Sequence, residues 1–575
     1  GERLRMASMF AWWCFLLLTG LKSNALPYDY TATSECLDTP YNPLYGGGII
    51  TNAELDYGLR GWSRYGGGEI EDREFHGNKY IVAFNRRNPE DSLSQSLFLH
   101  SQLLYSFSAW VRVNNGSASV VAMFKTPSGL VKAGIAIAMS GCWSMIKGGL
   151  SVDVSGSSDL YFQSNTTSVE IWVDSVSLQP FTEEEWRSHQ EESIEKTRKS
   201  KVRIKVVDKY DNVLPSSEIL IYQKRLNFPF GCAVNKNILS NGAYRNWFIS
   251  RFRLTSFEDE FKWYSTEGGR QGKVDYSVPD AMMNFLRLHN IAVRGQNIFW
   301  DDPRYQPYWV RSLSPRAFFI AAVSRLKSLV SRYRGQVISW DVVNENLHFS
   351  FLESKLGSSA SAYFFHLASV TDPTATLFFN EFNTIEDKGD PLSVPTKFLQ
   401  KLNAIKTGYP GNYNLKYGIG LEAHFTVPNI PYMRSAIDML SQANYPIWLS
   451  EVDVSAGPNQ ARFLEQVLRE GHGHPKVSGM VLWSAWKPSG CYRMCLTDNN
   501  FRNLPTGDVV DKLLREWGGL HGQSNSFTAT TDENGYFEAN LFHGDYEVRF
   551  LDQAVDVSVT PEVETLTVTL QAPES

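Results

Sequence analysis

The spacing of hydrophobic and polar positions changes several times along the chain. Between residues 49 and 180, short stretches alternate apolar with polar, as in LLYSFSAWVRV (103–113), LYFQSN (160–165) and VEIWVDSVSL (169–178), with Gly, Ser and Asn turns between them. Period-two alternation predicts half-buried antiparallel strands, so 49–180 is expected to form a jelly-roll-like β-sandwich module. The next segment, EEEWRSHQEESIEKTRKSK (183–201), carries mixed charge nearly all round and predicts a solvated linking helix. From Phe228 to Trp517, apolar runs rich in β-branched and aromatic residues alternate with amphipathic stretches. Candidate strands start near residues 228, 253, 291, 335, 374, 417, 446 and 477. Eight such units predict an α/β fold of the (β/α)8 TIM barrel type. A doubly wound sheet is the alternative, but the Gly-rich turn it would need after the first strand is missing. One helix shows its start: Ser314 as N-cap, Pro315 in the first turn, and Phe319, Val323, Leu326 and Val330 expected to face the barrel.

Alternation also marks 202–223, with Val202, Ile204 and Val206 on one face, and 525–570. Neither piece has enough strands to be stable alone. They are therefore expected to pair into one small, discontinuous β-sandwich with the barrel inserted between its halves.

Composition narrows the partners. Fifty-five basic against 61 acidic residues give a net charge of −6, which argues against a nucleic-acid or anionic-membrane binder. Sixteen Trp, 26 Tyr and 34 Phe in an electrically quiet chain suit stacking on flat, neutral ligands such as sugars, although most of these rings will be core. The run FAWWCFLLLTGL (10–21), with Arg3 and Arg5 before it and Ser23-Asn24-Ala25 after it, is too short to span a bilayer. It reads as the core of a signal peptide over 1–25, which predicts secretion and no membrane attachment after cleavage. Two sequons, at Asn115 and Asn165, agree with that route. In an oxidising compartment Cys491 and Cys495 are near enough to bridge within one loop, Cys36 and Cys142 form a second candidate pair, and Cys232 is left over. Buried thiols throughout are the alternative.

In a (β/α)8 barrel the chemistry sits at the C-terminal ends of the strands. The fourth run, VISWDVVNEN, ends in Asn344-Glu345, and the seventh, IWLSEVDVS, contains Glu451 and Asp453. Other runs end near Glu258, Asp259 and Lys262, Gln296 and Trp300, Asn380, Glu422 and His424, and Trp483 and Trp486. Glycoside hydrolysis needs such a set: a protonated carboxyl for the leaving oxygen and a carboxylate for the anomeric carbon or a water. Amide, lysine and imidazole groups bind the hydroxyls, Trp faces stack on the sugar rings, and the carboxylate pair needs no metal.

The segments WDVVNE (340–345), RGQNIFW (294–300), GIGLEAHF (418–425), SEVD (450–453) and FEDEFKW (257–263) resemble the signature strands of plant glycoside hydrolase family 10 endo-1,4-β-xylanases. The resemblance spans 228–517 in order. It implies a retaining hydrolase of cell-wall xylan with Glu345 as acid/base, Glu451 as nucleophile, Asn344 on the 2-hydroxyl and His424 orienting Glu451. Lys262, Trp300 and Trp483 would belong to the glycone subsite. Three positions depart from the family: Asp259 for Asn, Gln296 for His and Glu422 for Gln. They motivate an alternative, a xylan-binding protein with weak or no turnover.

The N-terminal segments NAELDYGLRGW (52–62), SGCWSMIKGGL (140–150) and WVDSVSL (172–178) resemble a family 22 carbohydrate-binding module. That resemblance makes Trp62, Tyr80, Trp110, Trp143 and Trp172 candidate ring contacts, and a structural Ca²⁺ near Glu54 and Asp174 a candidate cofactor. The pieces Asp208, Pro215, TTDENGYF (530–537) and GDYEV (544–548) resemble a transthyretin-like sandwich of the carboxypeptidase regulatory type.

Overall fold

The computed structural model describes residues 26–386, 389–518 and 526–573, so the expected signal segment lies outside the described residues. The N-terminal module is two five-stranded antiparallel sheets. One runs, in spatial order, Ser63–Tyr65, Ser92–Leu99, Gly156–Gln163, Ser117–Thr126 and Gly129–Met139. The other runs Glu69–Phe75, Asn78–Phe84, Ile171–Thr182, Leu103–Val113 and Ser144–Leu150. Phe107, Val111, Phe124, Phe162 and Ile171 fill the space between them. A second apolar cluster, Tyr80, Val82, Trp110, Trp143 and Met145, lies on the opposite face of the second sheet and packs with Leu37 and Leu44 of the N-terminal segment. A disulfide from Cys36 to Cys142 ties that segment down.

The helix Glu183–Thr197 opens with a reciprocal capping box between Thr182 and Glu185. It is not solvated all round, which corrects the sequence expectation. Trp186, His189 and Ser193 are buried. The Trp186 indole and the Gln190 amide both donate to Glu470 on the barrel helix Gln460–Gly473. A face docked through hydrogen bonds leaves little apolar periodicity to read.

The strand Lys199–Val207 pairs antiparallel with Tyr536–Phe542 and parallel with Thr565–Gln571. Glu218–Leu226 pairs with Ser526–Thr530 and Gly544–Phe550, and the latter with Gln553–Val559. Val202, Ile204, Val206, Ile219, Ile221, Val548 and Leu570 close the two sheets into one core. Gly535 is required in its turn: its φ is +75°, and a Cβ there would meet Val213 Cβ at 2.8 Å.

The barrel is a (β/α)8 fold. Its strands are Phe230–Cys232, Leu254–Ser256, Ala292–Gly295, Ser339–Asp341, Thr376–Glu381, Tyr417–Leu421, Ile447–Val454 and Val477–Leu482, all paired in parallel. Closure between strands one and two comes from Val234 N–H to Ser256 O at 2.8 Å and Glu258 N–H to Val234 O at 3.0 Å. The helix Pro315–Arg332 is capped by Ser314 as expected, but it is turned relative to the predicted face. Phe318, Ala322, Arg325, Leu326 and Leu329 are buried, whereas Phe319 is 40% exposed. The reason is Arg325, whose guanidinium takes a core position by donating to the carbonyls of Phe261, Asn297 and Ile298. Treating it as a polar, outward residue shifts the apparent stripe.

Module and barrel form one body. The barrel helix Ile430–Leu440 is buried along its whole length. Asn429 and Ser435 donate to the carbonyls of Gly149 and Gly148 on the module strand Ser144–Leu150. At the centre, fully buried Lys147 of the module meets Asp438 of the barrel at 2.9 Å, and Asp438 also accepts from Tyr28 and contacts His474. Next to it, buried Arg434 pairs with Glu470 at 2.6 Å and lies 3.8 Å from the Trp186 ring centre.

Candidate active site

The strand ends open on a cleft of about 470 Å³. Glu258, Asp259, Lys262, Gln296, Trp300, Asn344, Glu345, Glu422, His424, Glu451 and Trp483 all line it. Asn380, Asp453 and Trp486 stand behind the wall. Asn380 is fully buried, donates to Asn344 Oδ1 at 2.9 Å and accepts from Ser450 at 2.5 Å. Trp486 is a correction: it packs against Tyr244 and Phe501 and donates to Asn499, so no sugar can stack on it.

Glu345 follows the short pairing of Val343-Asn344 with Phe299-Trp300, which sets Trp300 beside it. Its φ of +60° is an uncommon conformation for a residue with a side chain, of the kind that persists where the surroundings hold a functional group in place. The Trp300 indole donates to Glu345 Oε2 at 2.7 Å. Burial and the negative charges of Glu381 and Glu451 nevertheless raise its pKa to about 7. Glu451 goes the other way. Burial would push it up, but His424 bonded to Oε2 at 2.9 Å, the Lys262 charge and the Gln296 amide on Oε1 bring it below the ordinary value. His424 is itself held between Glu451 and Asp453, the latter 2.8 Å from Nδ1 and paired with Arg493. Lys262 lies over both Trp300 and Trp483, at 4.7 and 5.4 Å from their ring centres.

Of the three departures, Asp259 has its charge answered by Lys262 at 3.8 Å, Lys487 at 3.6 Å and the Tyr264 hydroxyl at 2.6 Å. Gln296 gives Glu451 the donor that an imidazole would otherwise supply, while its own Oε1 is buried without a protein partner. Glu422 is buried against two carboxyls.

Several lining residues escaped the sequence reading. Tyr305 stacks on Trp300 with centroids 3.9 Å apart, and Lys487 pairs with Glu258 at 2.7 Å. Tyr492 and Arg493 reach the cleft from a loop closed by the Cys491–Cys495 disulfide, so the spacing of those cysteines was the available signal. His348 bridges Glu381 and Asp390 at 2.6 and 2.7 Å behind Glu345, and the two carboxylates outweigh burial to raise it to about 9. Cys232 is a buried free thiol.

The module rings are corrected as well. Trp62, Tyr80, Trp110 and Trp143 are each at most 5% exposed, and Trp172 is half-buried between Tyr80, Arg73 and Arg112. Trp62 packs in the core between the sheets, and Tyr80, Trp110 and Trp143 pack under the N-terminal segment that covers their face.

A carboxyl raised to about 7 and a second carboxyl lowered, on two strand ends of one barrel cleft walled by Trp, are the equipment of a glycoside hydrolase. Residues 220–503 match Glycosyl hydrolase family 10. The chain is 38% identical over 543 residues to endo-1,4-beta-xylanase 5 of Arabidopsis thaliana, covering 93% of this chain and 91% of that one. It is 37% identical over 572 residues to endo-1,4-beta-xylanase 5-like of the same plant, covering 97% and 96%. Among solved structures, the CBM22-1–GH10 modules of Clostridium thermocellum xylanase 10B with xylohexaose align over 81% of this chain and 96% of that chain, at 15% identity and a TM-score of 0.43. The chain belongs to glycosyl hydrolase family 10.

Proposed function

We propose that the chain is a secreted, retaining endo-1,4-β-xylanase that cuts internal bonds of cell-wall xylan. The observation that carries this reading is the placement of Glu345 and Glu451 at the ends of two strands in one cleft, the first bonded by the Trp300 indole at 2.7 Å and the second by His424 at 2.9 Å. Burial and nearby charge raise the first to about 7, and the imidazole, Lys262 and Gln296 lower the second. Glu451 attacks the anomeric carbon while Glu345 protonates the leaving oxygen. The ionised Glu345 then takes a proton from the water that releases the sugar from Glu451. Lys262, Asn344 and the Trp483 face hold the glycone, and Trp300, stacked on Tyr305, keeps its indole N–H on Glu345. The names of the plant relatives support xylan as the substrate. Secretion is supported by the apolar run at 10–21, by two disulfides and by sequon residues Asn115 and Asn165 standing exposed. The test is reducing-sugar release from xylan with a rapid fall in viscosity. The rate is expected to decline as pH rises through about 7, where Glu345 loses its proton. Xylan binding without release at any pH would establish the alternative, a binding protein.

The reading includes a structural Ca²⁺ in the module. Asp174 is buried, accepts from Asn78 and from the Ser175 N–H, and is raised to about 7 by burial, with Asp56 and Glu54 adding to the rise. A divalent cation would satisfy that unbalanced carboxyl, with Asp174 and Glu54 as oxygen ligands. Added Ca²⁺ is then expected to raise the unfolding temperature of the whole chain and a chelator to lower it. A melting curve indifferent to both leaves Asp174 as a protonated side chain.

A further inference from the structure

Three donor atoms converge in the cleft wall. His424 Nε2 lies 2.9 Å from Glu451 Oε2 and 3.4 Å from Glu422 Oε2, and ligand atoms of the three side chains all fall within 4.8 Å of one another. The other two oxygens are held apart from the ring: Oε1 of Glu422 and Oε1 of Glu451 both accept from Asn380 Nδ2, each at 3.4 Å. Gln296 adds its amide to Glu451 Oε1. At the far nitrogen of the ring, Asp453 stands 2.8 Å from His424 Nδ1 and is itself paired with Arg493.

This arrangement has the dimensions of a dication site. Donors at about 2.0 Å around a tetrahedral zinc ion stand about 3.3 Å from one another. Separations of 2.9 and 3.4 Å therefore need little adjustment. A metal-bound imidazole commonly gives its second N–H to a carboxylate, which fixes the tautomer and aims the free nitrogen at the ion, and Asp453 occupies that place. Three protein donors leave a fourth position for water from the cleft. One nitrogen and two oxygens suit zinc or cobalt and are too few for Ca²⁺, which takes about six to eight oxygens.

Charge points the same way. Lys487 answers Glu258 at 2.7 Å, Arg493 answers Asp453, and Lys262 divides its charge between Asp259 at 3.8 Å and the field at Glu451. For buried Glu422 and Glu451, the one cationic group within ion-pair distance among the described residues is His424. Gln296 Oε1, on the amide that touches Glu451, is buried without a protein partner, a polar atom that the water shell of an ion would satisfy.

We propose that Glu422, His424 and Glu451 bind a zinc-class dication, and that the bound ion switches the enzyme off by taking its nucleophile as a ligand. The switch rests on the role proposed for Glu451; the binding does not. The ion replaces the proton on His424 Nε2, which leaves to solvent, while the Nδ1 proton stays toward Asp453. Glu451 Oε2 then has its lone pair committed to the ion, and a dication beside the anomeric carbon opposes the positive charge that develops there. Glu422 completes the set, since a glutamine in its place offers only a neutral amide oxygen.

The test titrates the full chain with Co²⁺ at mildly alkaline pH, with Ca²⁺ present to fill the carboxyls of the module. One Co²⁺ per chain with the strong visible bands of a four-coordinate site is expected, displaced by Zn²⁺. Glu422→Gln and Glu451→Gln should each weaken that binding at least about 10-fold. Melting curves matching the wild type keep a folding defect from imitating the loss. Absence of the bands, or equal affinity in both variants, overturns the site. Saturating Zn²⁺ is expected to lower xylan hydrolysis at least about 10-fold, with recovery on chelation; full activity with the site filled overturns the switch. The bands need no turnover, so a chain that binds Co²⁺ but never cuts xylan upholds the site and counts against the proposed function instead.

Discussion

Glu451→Ala is expected to end xylan hydrolysis and, with azide and an activated aryl xylobioside, to yield the inverted α-glycosyl azide. Removing the carboxylate leaves a gap on the face of the sugar that Glu451 would attack, and no covalent intermediate can form. A small anion entering that gap attacks once and inverts the centre. Glu345→Ala is expected to behave differently. Its nucleophile is intact, and a leaving group that needs no proton still departs, so the glycosyl-enzyme forms and waits. Azide then enters where Glu345 stood and gives the retained β-azide. On natural xylan, which needs the proton, the loss should be about 10²–10⁴-fold for the acid/base. The nucleophile variant should lose at least as much. Chromatography of the azide products and their anomeric NMR couplings decide the matter: the same anomer from both variants, or a small loss from either, would reverse or dissolve the assigned roles.

Asp438→Ala is expected to destabilise the whole chain by about 3–5 kcal/mol, because it leaves the Lys147 ammonium buried without its carboxylate. His474 and the Tyr28 hydroxyl lose the same partner. Urea unfolding followed by Trp fluorescence measures this. The double variant Lys147→Met with Asp438→Leu should recover much of the loss, since replacing both charges removes the desolvation cost along with the attraction. A single variant as stable as the wild type would mean that module and barrel do not dock through this pair. The pH dependence has a definite sign. Burial opposes ionisation of Asp438, but Lys147, His474 and Tyr28 more than offset it and hold its pKa below the ordinary value. The stability it contributes is therefore present above the ordinary carboxylate range and is lost as pH falls through its lowered value. Docking should persist through mild acid and fail only in stronger acid.

Much of the barrel was legible because each strand is a short apolar run and each run ends in a polar residue. That pattern led directly to Glu345, Glu422, Glu451 and Lys262, which the folded chain brings into one cleft. What stayed hidden came from segments without a period. Tyr305 lies in a short 3-10 turn and reaches Trp300 only because the loop folds back on it. His348, Glu381 and Asp390 are separated in sequence, and nothing local says that they meet. Trp110 and Trp143 show the opposite limit. Strand alternation places Trp110 on the face away from the main core, but it cannot say that residues 37–45 return to cover that face. The polar helix at 183–197 reads as solvated for a related reason, since its docking depends on Glu470, far along the chain.

The split accessory sandwich has a consequence for how the chain is made. Its first two strands end at Leu226 and their partners begin at Ser526, with the whole barrel between them. At roughly 5–20 residues per second, about 300 residues separate the halves by about 15–60 s of synthesis. Throughout that interval Lys199–Val207 and Glu218–Leu226 have emerged with every neighbouring strand of their sandwich still to be translated. Ribosome pausing or early termination inside the barrel would prolong the exposure of two apolar strand edges, the kind of surface that recruits other nascent chains. A chain cut short before residue 526 is therefore expected to be found with chaperones or in aggregates even where its barrel is whole.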